Sequence, residues 1–139
     1  MSGESRTHLE LVKHLVAHIQ LIHEPDGGFV IYSDIDTDLV QRPSRIGGHL
    51  PDVFASDIPA TFRIVGEAKT HSDIITQRSI NQIRVFLNYL ALFDGSVFYL
   101  AVPAFSKGRA LQMISSIRES QHDRVTIEVL NCPVGAELC

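Results

Sequence analysis

Two short segments of this chain carry the residue types and spacing best suited to chemistry. Pro51-Asp52 is followed, fifteen positions after the aspartate, by Glu67-Ala68-Lys69. Two carboxylates can hold a hard divalent cation through oxygen, and a lysine beside them can orient or polarise a water molecule. The pattern therefore predicts a metal site with Asp52 and Glu67 as ligands and Lys69 next to them.

The residues around both segments predict a pair of β-strands that would position this site. Residues 62–66 form an apolar run that ends at Glu67, and residues 50–55 around Asp52 also have strand character. Residues 56–59 predict the hairpin connection. An antiparallel pair brings Asp52 and Glu67 to one end of the sheet. Alternation along the second strand places Glu67 and Lys69 on one face and Ala68 on the other.

The remaining elements surround this strand pair. Apolar residues at helical spacing predict helices over about 5–23, from 76 or 79 to 93, and from 106 to about 120. Ser106 is the expected N-cap of the third helix. Strands are predicted at 29–32, 96–102 and 125–130. The resulting order αβββαβαβ predicts an α/β fold with a mixed β-sheet flanked by helices.

The motif and this order of elements together resemble the PD-(D/E)xK nucleases, which share the restriction-endonuclease-like core. The resemblance covers about Glu10 to Leu130. It implies an endonuclease that hydrolyses phosphodiester bonds in DNA with Mg²⁺, which Mn²⁺ can replace. It also implies that the backbone carbonyl of Ala68 helps to bind the metal. Because nucleases of this kind commonly dimerise to reach two strands, it implies a homodimer.

Two further residues match positions that the resemblance makes relevant. Several members of the family carry a metal-supporting glutamate on the first helix, and Glu10 is the position that matches. Its alternative is a solvated carboxylate stabilised by the helix dipole. A glutamine near the scissile phosphate is common in the helix after the lysine strand, and Gln82 matches it. As an alternative, Ser79 and Gln82 form a capping box.

Basic residues near the motif predict contacts with a phosphate backbone. Arg42 and Arg45 lie in a loop before the Asp52 strand, and Arg78 lies at the start of the second helix, whose free N–H groups attract anions. The alternative for all three is plain solvation. Residues 42–84 contain six basic and four acidic residues, a charge of +2, whereas the whole chain has −4. This distribution predicts modest, salt-sensitive DNA affinity.

Size and composition are those of one soluble globular domain spanning residues 1–139, with a core from about 5 to 131 and a loose tail after Pro133. No apolar run is long enough to span a membrane, and the N-terminal residues lack the apolar segment of a signal peptide. We therefore expect a cytoplasmic location, no membrane association and reduced thiols at Cys132 and Cys139.

Two other interpretations compete with a nuclease. The first is a catalytically silent nuclease-fold protein that binds DNA or acts as a scaffold; the net charge of −4 favours it, and the intact set of Asp52, Glu67 and Lys69 opposes it. The second is a chance match in another small α/β protein, which the strand order tests. The sequence contains no Walker or dinucleotide-binding fingerprint, so no nucleotide cofactor is expected.

Overall fold

The predicted order of elements is the one observed. The computed structural model describes residues 6–23, 28–34 and 42–132. The elements are α1 (Arg6–His23), β1 (Phe29–Ser33), β2 (Val53–Asp57), β3 (Arg63–Ala68), α2 (Gln77–Leu90), β4 (Val97–Pro103), α3 (Lys107–Ile117) and β5 (Thr126–Cys132), with 3₁₀ helices at Ala104–Ser106 and Ser120–Arg124. The expected loose tail after Pro133 lies outside the described residues.

A single five-stranded sheet organises the described residues, in the spatial order β1-β2-β3-β4-β5. The first three strands are antiparallel, and β4 and β5 then add in parallel to β3 and β4. Antiparallel neighbours need only short turns, whereas parallel neighbours need a crossover. Those crossovers contain α2 and α3. The predicted α/β class, with a mixed sheet and flanking helices, is confirmed.

Helices cover both faces of the sheet and make two apolar layers. On one face, α1 packs against β2, β3 and β4 through Leu11, Leu15 and Ile19. On the other face, α2 and α3 pack against the centre of the sheet through residues such as Phe86, Leu87 and Ile114. Every residue of β4 is buried, as expected for a central strand covered on both sides. The strand β3, which carries Glu67, is therefore part of a core that is covered on both sides.

The turn between β2 and β3 lies further along the chain than predicted. Ser56 pairs with Arg63, so β2 extends to Asp57 instead of ending at Ala55. The physical reason is that the carboxylate of Asp57 organises the turn itself. Its Oδ1 accepts hydrogen bonds from the backbone N–H groups of Thr61 at 2.7 Å and Phe62 at 3.2 Å.

The helix α3 begins where it was predicted to begin, but its N-cap lacks the expected side-chain hydrogen bond. Ser106 is the N-cap residue, but its side chain makes no capping hydrogen bond. Its Oγ instead lies 2.7 Å from Nδ1 of His71, in the loop that follows β3. This contact joins the segments that leave two neighbouring parallel strands, and it is the tertiary interaction that draws the hydroxyl away from the helix end.

The prediction of reduced thiols can be checked at Cys132. Cys132 is buried and disulfide-bonded, so the expectation of a reduced thiol is wrong at this position. The predicted thiol of Cys139 lies outside the described residues.

Among the helices that the structure describes, none combines the length and the hydropathy needed to cross a bilayer.

Candidate metal and catalytic site

The pairing of β2 with β3 brings the two carboxylates together. Val53 is opposite Gly66 in the antiparallel ladder, so Asp52 and Glu67 are neighbours at the end of the strand pair. The backbone N–H of Asp52 donates to Oε2 of Glu67 at 2.8 Å. In return, the backbone N–H of Ala68 donates to Oδ2 of Asp52 at 2.8 Å. These reciprocal bonds hold both side chains in place, because each carboxylate is tied to the other strand's backbone.

Strand alternation places Lys69 beside Glu67, as predicted. Ala68 is buried in the layer formed with α1, on the opposite face from its two neighbours. The backbone N–H of Lys69 donates to the carbonyl of Ala101 at 3.0 Å, which continues the pairing of β3 with β4. The Nζ of Lys69 lies 3.4 Å from Oε1 of Glu67, and only 12% of the side chain is exposed. The amine is therefore held at the carboxylates by a fixed backbone.

Gln82 completes this group from the facing helix. Its Oε1 accepts a hydrogen bond from Nζ of Lys69 at 2.6 Å. The alternative capping-box role is wrong, because the N-cap of α2 is Thr76, whose side chain accepts from the N–H of Ser79. Gln82 lies in the second turn of the helix, so its side chain is available to orient the lysine.

Together these residues line a cavity of about 760 Å³, which we call the carboxylate cavity. Asp52, Glu67, Lys69 and Gln82 form its inner wall, and Arg78 comes from the first turn of α2. The cavity is predominantly polar, in contrast to the apolar layers beneath it. Its lining residues are suited to binding an ion and a charged substrate rather than an apolar molecule.

The first helix contributes a residue that the sequence reasoning missed. Nε2 of His8 lies 3.4 Å from Oδ2 of Asp52, and His8 lines the carboxylate cavity. His8 continues the buried stripe of Leu11, Val12 and Leu15 by one turn. A polar residue at the end of an apolar stripe is the signal that could have identified it.

Glu10, the predicted metal supporter on the same helix, does not line that cavity. Residues two positions apart on an α-helix differ in direction by about 200°, so the side chain of Glu10 points well away from that of His8. Its carboxylate is 3.9 Å from the guanidinium of Arg6. A metal-supporting role for Glu10 remains a prediction without geometric support.

Burial gives Glu67 unusual acid–base behaviour. Its side chain is 2% exposed. Desolvation, followed by the nearby charge of Asp52, raises the pKa of Glu67 to about 8, and Lys69 and the N–H of Asp52 oppose that rise. A cation placed between the two carboxylates would relieve both causes. The raised pKa of Glu67 thus reflects first its burial and then the neighbouring carboxylate of Asp52.

The donor set of this site fits a hard divalent cation. No group of three or more His, Cys, Asp and Glu residues suited to a metal ion occurs in residues 6–23, 28–34 and 42–132. Magnesium does not require one, since it is usually held by one or two carboxylates together with water and substrate phosphate. Asp52 and Glu67 supply those carboxylates, and the predicted third donor is the backbone carbonyl of Ala68.

The three predicted phosphate-binding arginines lie in different positions. Arg78 and Arg45 line the carboxylate cavity, whereas Arg42 does not. Nη1 of Arg42 is 3.8 Å from Oδ1 of Asp34, and its side chain is 73% exposed. Nη1 of Arg45 donates to the carbonyl of Gly48 at 3.1 Å. Two of the three predicted arginines thus line the carboxylate cavity.

A tight turn holds the loop that carries Arg42 and Arg45. Gly47 and Gly48 both have positive φ, and Ile46 pairs with His49 on either side of them. A Cβ on Gly47 would lie 2.6 Å from Cγ1 of Val85 on α2. The loop therefore packs closely on α2 because residue 47 has no side chain.

Comparison with known proteins adds no assignment. No family model, curated protein or solved structure that was compared with this chain matches it.

Proposed function

We propose that this protein is a metal-dependent deoxyribonuclease of the PD-(D/E)xK type, with a restriction-endonuclease-like core. The observation that carries the proposal is the convergence of Asp52, Glu67, Lys69 and Gln82 in one polar cavity, with Lys69 bonded to Gln82 at 2.6 Å and 3.4 Å from Glu67. The mixed five-stranded sheet is compatible with that core.

The proposed cofactor is Mg²⁺, with Mn²⁺ as a substitute. Asp52 and Glu67 would hold it with the carbonyl of Ala68, and it would stabilise negative charge that develops on the phosphate and the leaving oxygen. Ca²⁺ is expected to bind without supporting turnover, because its looser coordination positions water poorly.

The chain's own residues would prepare the attack. Lys69 would hold a water molecule for in-line attack on phosphorus, and Gln82 would keep the amine of Lys69 in that position. Arg45 and Arg78 would bind neighbouring phosphates. Attack by water with departure of the 3′ oxygen leaves a 5′-phosphate and a 3′-hydroxyl.

The deciding experiment is cleavage of a labelled panel of linear, branched and single-stranded DNA with Mg²⁺, Mn²⁺ or EDTA. Wild type is compared with Lys69→Ala and with Lys107→Ala, an exposed lysine at the start of α3. We expect metal-dependent cleavage that Lys69→Ala slows by roughly 10²–10⁴-fold, with DNA binding retained and Lys107→Ala unaffected. Loss of binding with retained turnover of each bound complex would refute the role of Lys69.

The second candidate is a catalytically silent nuclease-fold protein that binds DNA or acts as a scaffold. It is favoured by the net charge of −4, which opposes the approach of a polyanion such as DNA. Absence of both metal binding and cleavage in the same panel would select it.

Assembly and location are separate parts of the proposal. A homodimer follows from the resemblance, and light scattering of the full chain would test it. A cytoplasmic location also remains a prediction. The disulfide bond of Cys132 argues against it, because disulfides are rare in reducing compartments.

A further inference from the structure

A second cavity lies beside the carboxylate cavity, and no step of the proposed chemistry uses it. It measures about 480 Å³, and its lining includes Tyr32, Phe54, Tyr89, Arg42, Arg45 and Arg63. We call it the aromatic cavity. Its volume is within the range of about 300–1,000 Å³ that is typical of small-ligand pockets.

Three aromatic side chains form a row along this cavity. The ring centroids of Tyr32 and Phe54 are 6.2 Å apart, and those of Phe54 and Tyr89 are 6.5 Å apart. Tyr32 and Phe54 come from paired positions on β1 and β2, and Tyr89 reaches them from α2. Tyr32, Phe54 and Tyr89 are each only partly buried, so ring surface remains for a flat ligand to contact.

Arg63 places a fixed positive charge in the wall. Its Nη1 donates to Oη of Tyr89 at 2.6 Å, and its Cζ lies 4.0 Å from the ring centroid of Phe93. These contacts hold the guanidinium rigidly. Within the described part of the chain, Nε of Arg63 is the one buried side-chain nitrogen or oxygen that lacks a hydrogen-bond partner. Arg63 therefore contributes a positive charge to the wall of the cavity, which favours a ligand that carries anionic or acceptor groups.

The lining of the aromatic cavity is otherwise basic or neutral. Arg42 and Arg45 add two more positive charges, and none of its described lining residues is acidic. The carboxylate of Asp34 is 3.8 Å from Arg42 and offsets part of that charge. Aromatic faces together with arginines are the combination that stacks bases and binds the backbone of an unpaired strand.

The two cavities share one residue and one wall. Arg45 lines both of them, and Gly47 and Gly48 of the same loop line the aromatic cavity and the carboxylate cavity, respectively. A strand whose phosphate enters the carboxylate cavity could therefore extend past Arg45 into the aromatic cavity. Because Arg45 lines both cavities, a nearby nucleotide of the same strand is the natural occupant of the aromatic cavity.

We propose that the aromatic cavity binds one unpaired nucleotide of the DNA strand that is cleaved, with its base against Tyr32, Phe54 and Tyr89 and its phosphate at Arg42 and Arg45. This inference rests on the proposed nuclease function and specifies its substrate class. The preferred DNA contains an unpaired nucleotide close to the scissile phosphate, as at a bulge, a flap or a single-stranded end. A fully paired duplex would have to flip a base out of its stack to fill the cavity, so it is expected to bind less tightly.

The test measures affinity for two labelled duplexes that differ only in one unpaired adenine. Binding is followed by fluorescence anisotropy in Ca²⁺, with the adenine replaced by 2-aminopurine in a parallel series. We expect tighter binding of the bulged duplex and a change in 2-aminopurine emission on binding. Tyr32→Leu is expected to lower the ratio of bulged to paired affinity about tenfold, the size of one base–aromatic stacking contact, and Tyr32→Phe is expected to preserve it.

A second pair of variants keeps the proposal testable if the tyrosine variant does not fold. Arg42 is 3.8 Å from Asp34, and Arg118 is 3.9 Å from Asp123 elsewhere on the surface. Arg42→Gln is expected to weaken binding of the bulged duplex about threefold to tenfold, whereas the matched Arg118→Gln is not. Equal effects of the two substitutions would overturn the assignment of Arg42 to the cavity.

The outcomes separate this inference from the proposed function. Metal-dependent cleavage with no preference for unpaired DNA and no 2-aminopurine response would overturn the inference and leave the nuclease intact. A preference that depends on Tyr32, without cleavage under any metal, would support the cavity and overturn the nuclease. Competition by free AMP at the same concentration as the unpaired strand would overturn the strand assignment in favour of a free-nucleotide pocket.

Discussion

The loop around Gly47 and Gly48 separates two cavities with different chemistry. The carboxylate cavity is built where strands end, and backbone N–H groups hold its two buried acids in place. The aromatic cavity is built on a sheet face, where rings from β1, β2 and α2 meet and Arg63 is packed between aromatic side chains. The difference teaches that strand ends bring charged side chains together, whereas the face of the same sheet offers flat aromatic surface.

The two cavities also differ in the surroundings of their charged residues. Glu67 is almost fully buried, and desolvation together with Asp52 raises its pKa to about 8. The guanidinium of Arg63 lies against two aromatic rings instead of a carboxylate. The first arrangement is suited to binding a cation, and the second is suited to binding an anionic ligand that contains a flat ring. Substitutions should therefore affect the two cavities independently.

The largest expected effect comes from removing a charge from the carboxylate cavity. Asp52→Asn keeps an oxygen that can accept from the N–H of Ala68, so the fold should persist. We expect cleavage to slow by roughly 10²–10³-fold and Mg²⁺ affinity to fall at least about tenfold, since one of two anionic ligands is lost. Calorimetric titration with Mg²⁺ measures the affinity, with Asp123→Asn as an exposed control. An unchanged titration would exclude Asp52 as a ligand.

The next effect is the pH dependence of the metal-free protein. The pKa of Glu67 rises from 4.5 to about 8 on folding, so between these values the folded state binds more protons than the unfolded state. The contribution of Glu67 to stability is therefore complete below about pH 4.5 and is lost as pH rises through about 8.

Thermal unfolding in EDTA across this window tests that sign. We expect the Tm of wild type to fall by roughly 5–10 °C relative to Glu67→Gln between pH 5 and pH 8, because glutamine does not titrate. Parallel curves for the two proteins would contradict the buried-acid description. The aromatic cavity contains no such buried acid among its described lining residues, so Tyr32→Phe should leave the wild-type slope in place.

A smaller effect is expected at the wall between the cavities. Gly47→Ala introduces a Cβ only 2.6 Å from Val85 at a φ of +57°, whereas the Cβ of Gly48→Ala meets nothing within 4 Å at a φ of +84°. We expect losses of about 2–3 kcal/mol and about 1 kcal/mol in the free energy of unfolding, respectively. Urea denaturation measures both values. If the two losses were equal, the close packing of the loop on α2 would not be the cause.

The smallest effect is expected at Gln82, where two roles can be distinguished: positioning the amine of Lys69 and stabilising the helix α2. Gln82→Ala removes the acceptor of Lys69 and should slow cleavage about tenfold, with little change in unfolding because Thr76 caps the helix. Thr76→Ala should cost about 1 kcal/mol of stability. Cleavage rates and Tm values for both variants give the comparison. A large loss of stability in Gln82→Ala with normal cleavage would reverse the assignment.

Local patterns were sufficient to predict much of the fold. The apolar periodicity of residues 5–23 and 80–90 predicted α1 and α2, and the continuous apolar run at 96–102 predicted a central strand. The alternation of Glu67, Ala68 and Lys69 correctly predicted which side chains share a face. These features depend on periods of 3.6 and 2 residues, which the sequence displays directly.

Other features depended on contacts between distant segments. Ser106 looks like a helix cap, but its hydroxyl contacts His71, and the apparent capping pair of Ser79 and Gln82 is replaced by a cap from Thr76 and a bond from Gln82 to Lys69. The same is true of α1, where the cavity receives His8 and not Glu10. For Ser106 and Gln82 a distant partner replaces the local one, and for α1 the direction of the helix decides which residue reaches the cavity.

The sequence by itself determined the α/β class, the order of elements and the pairing of carboxylates with a lysine, because all three follow from local spacing along the chain. Only the tertiary structure decided that Gln82 holds the lysine, that His8 reaches Asp52 and that an aromatic cavity with three arginines adjoins the site. Those features depend on the direction in which α1 and α2 cross the sheet, and side-chain packing over the whole core sets that direction.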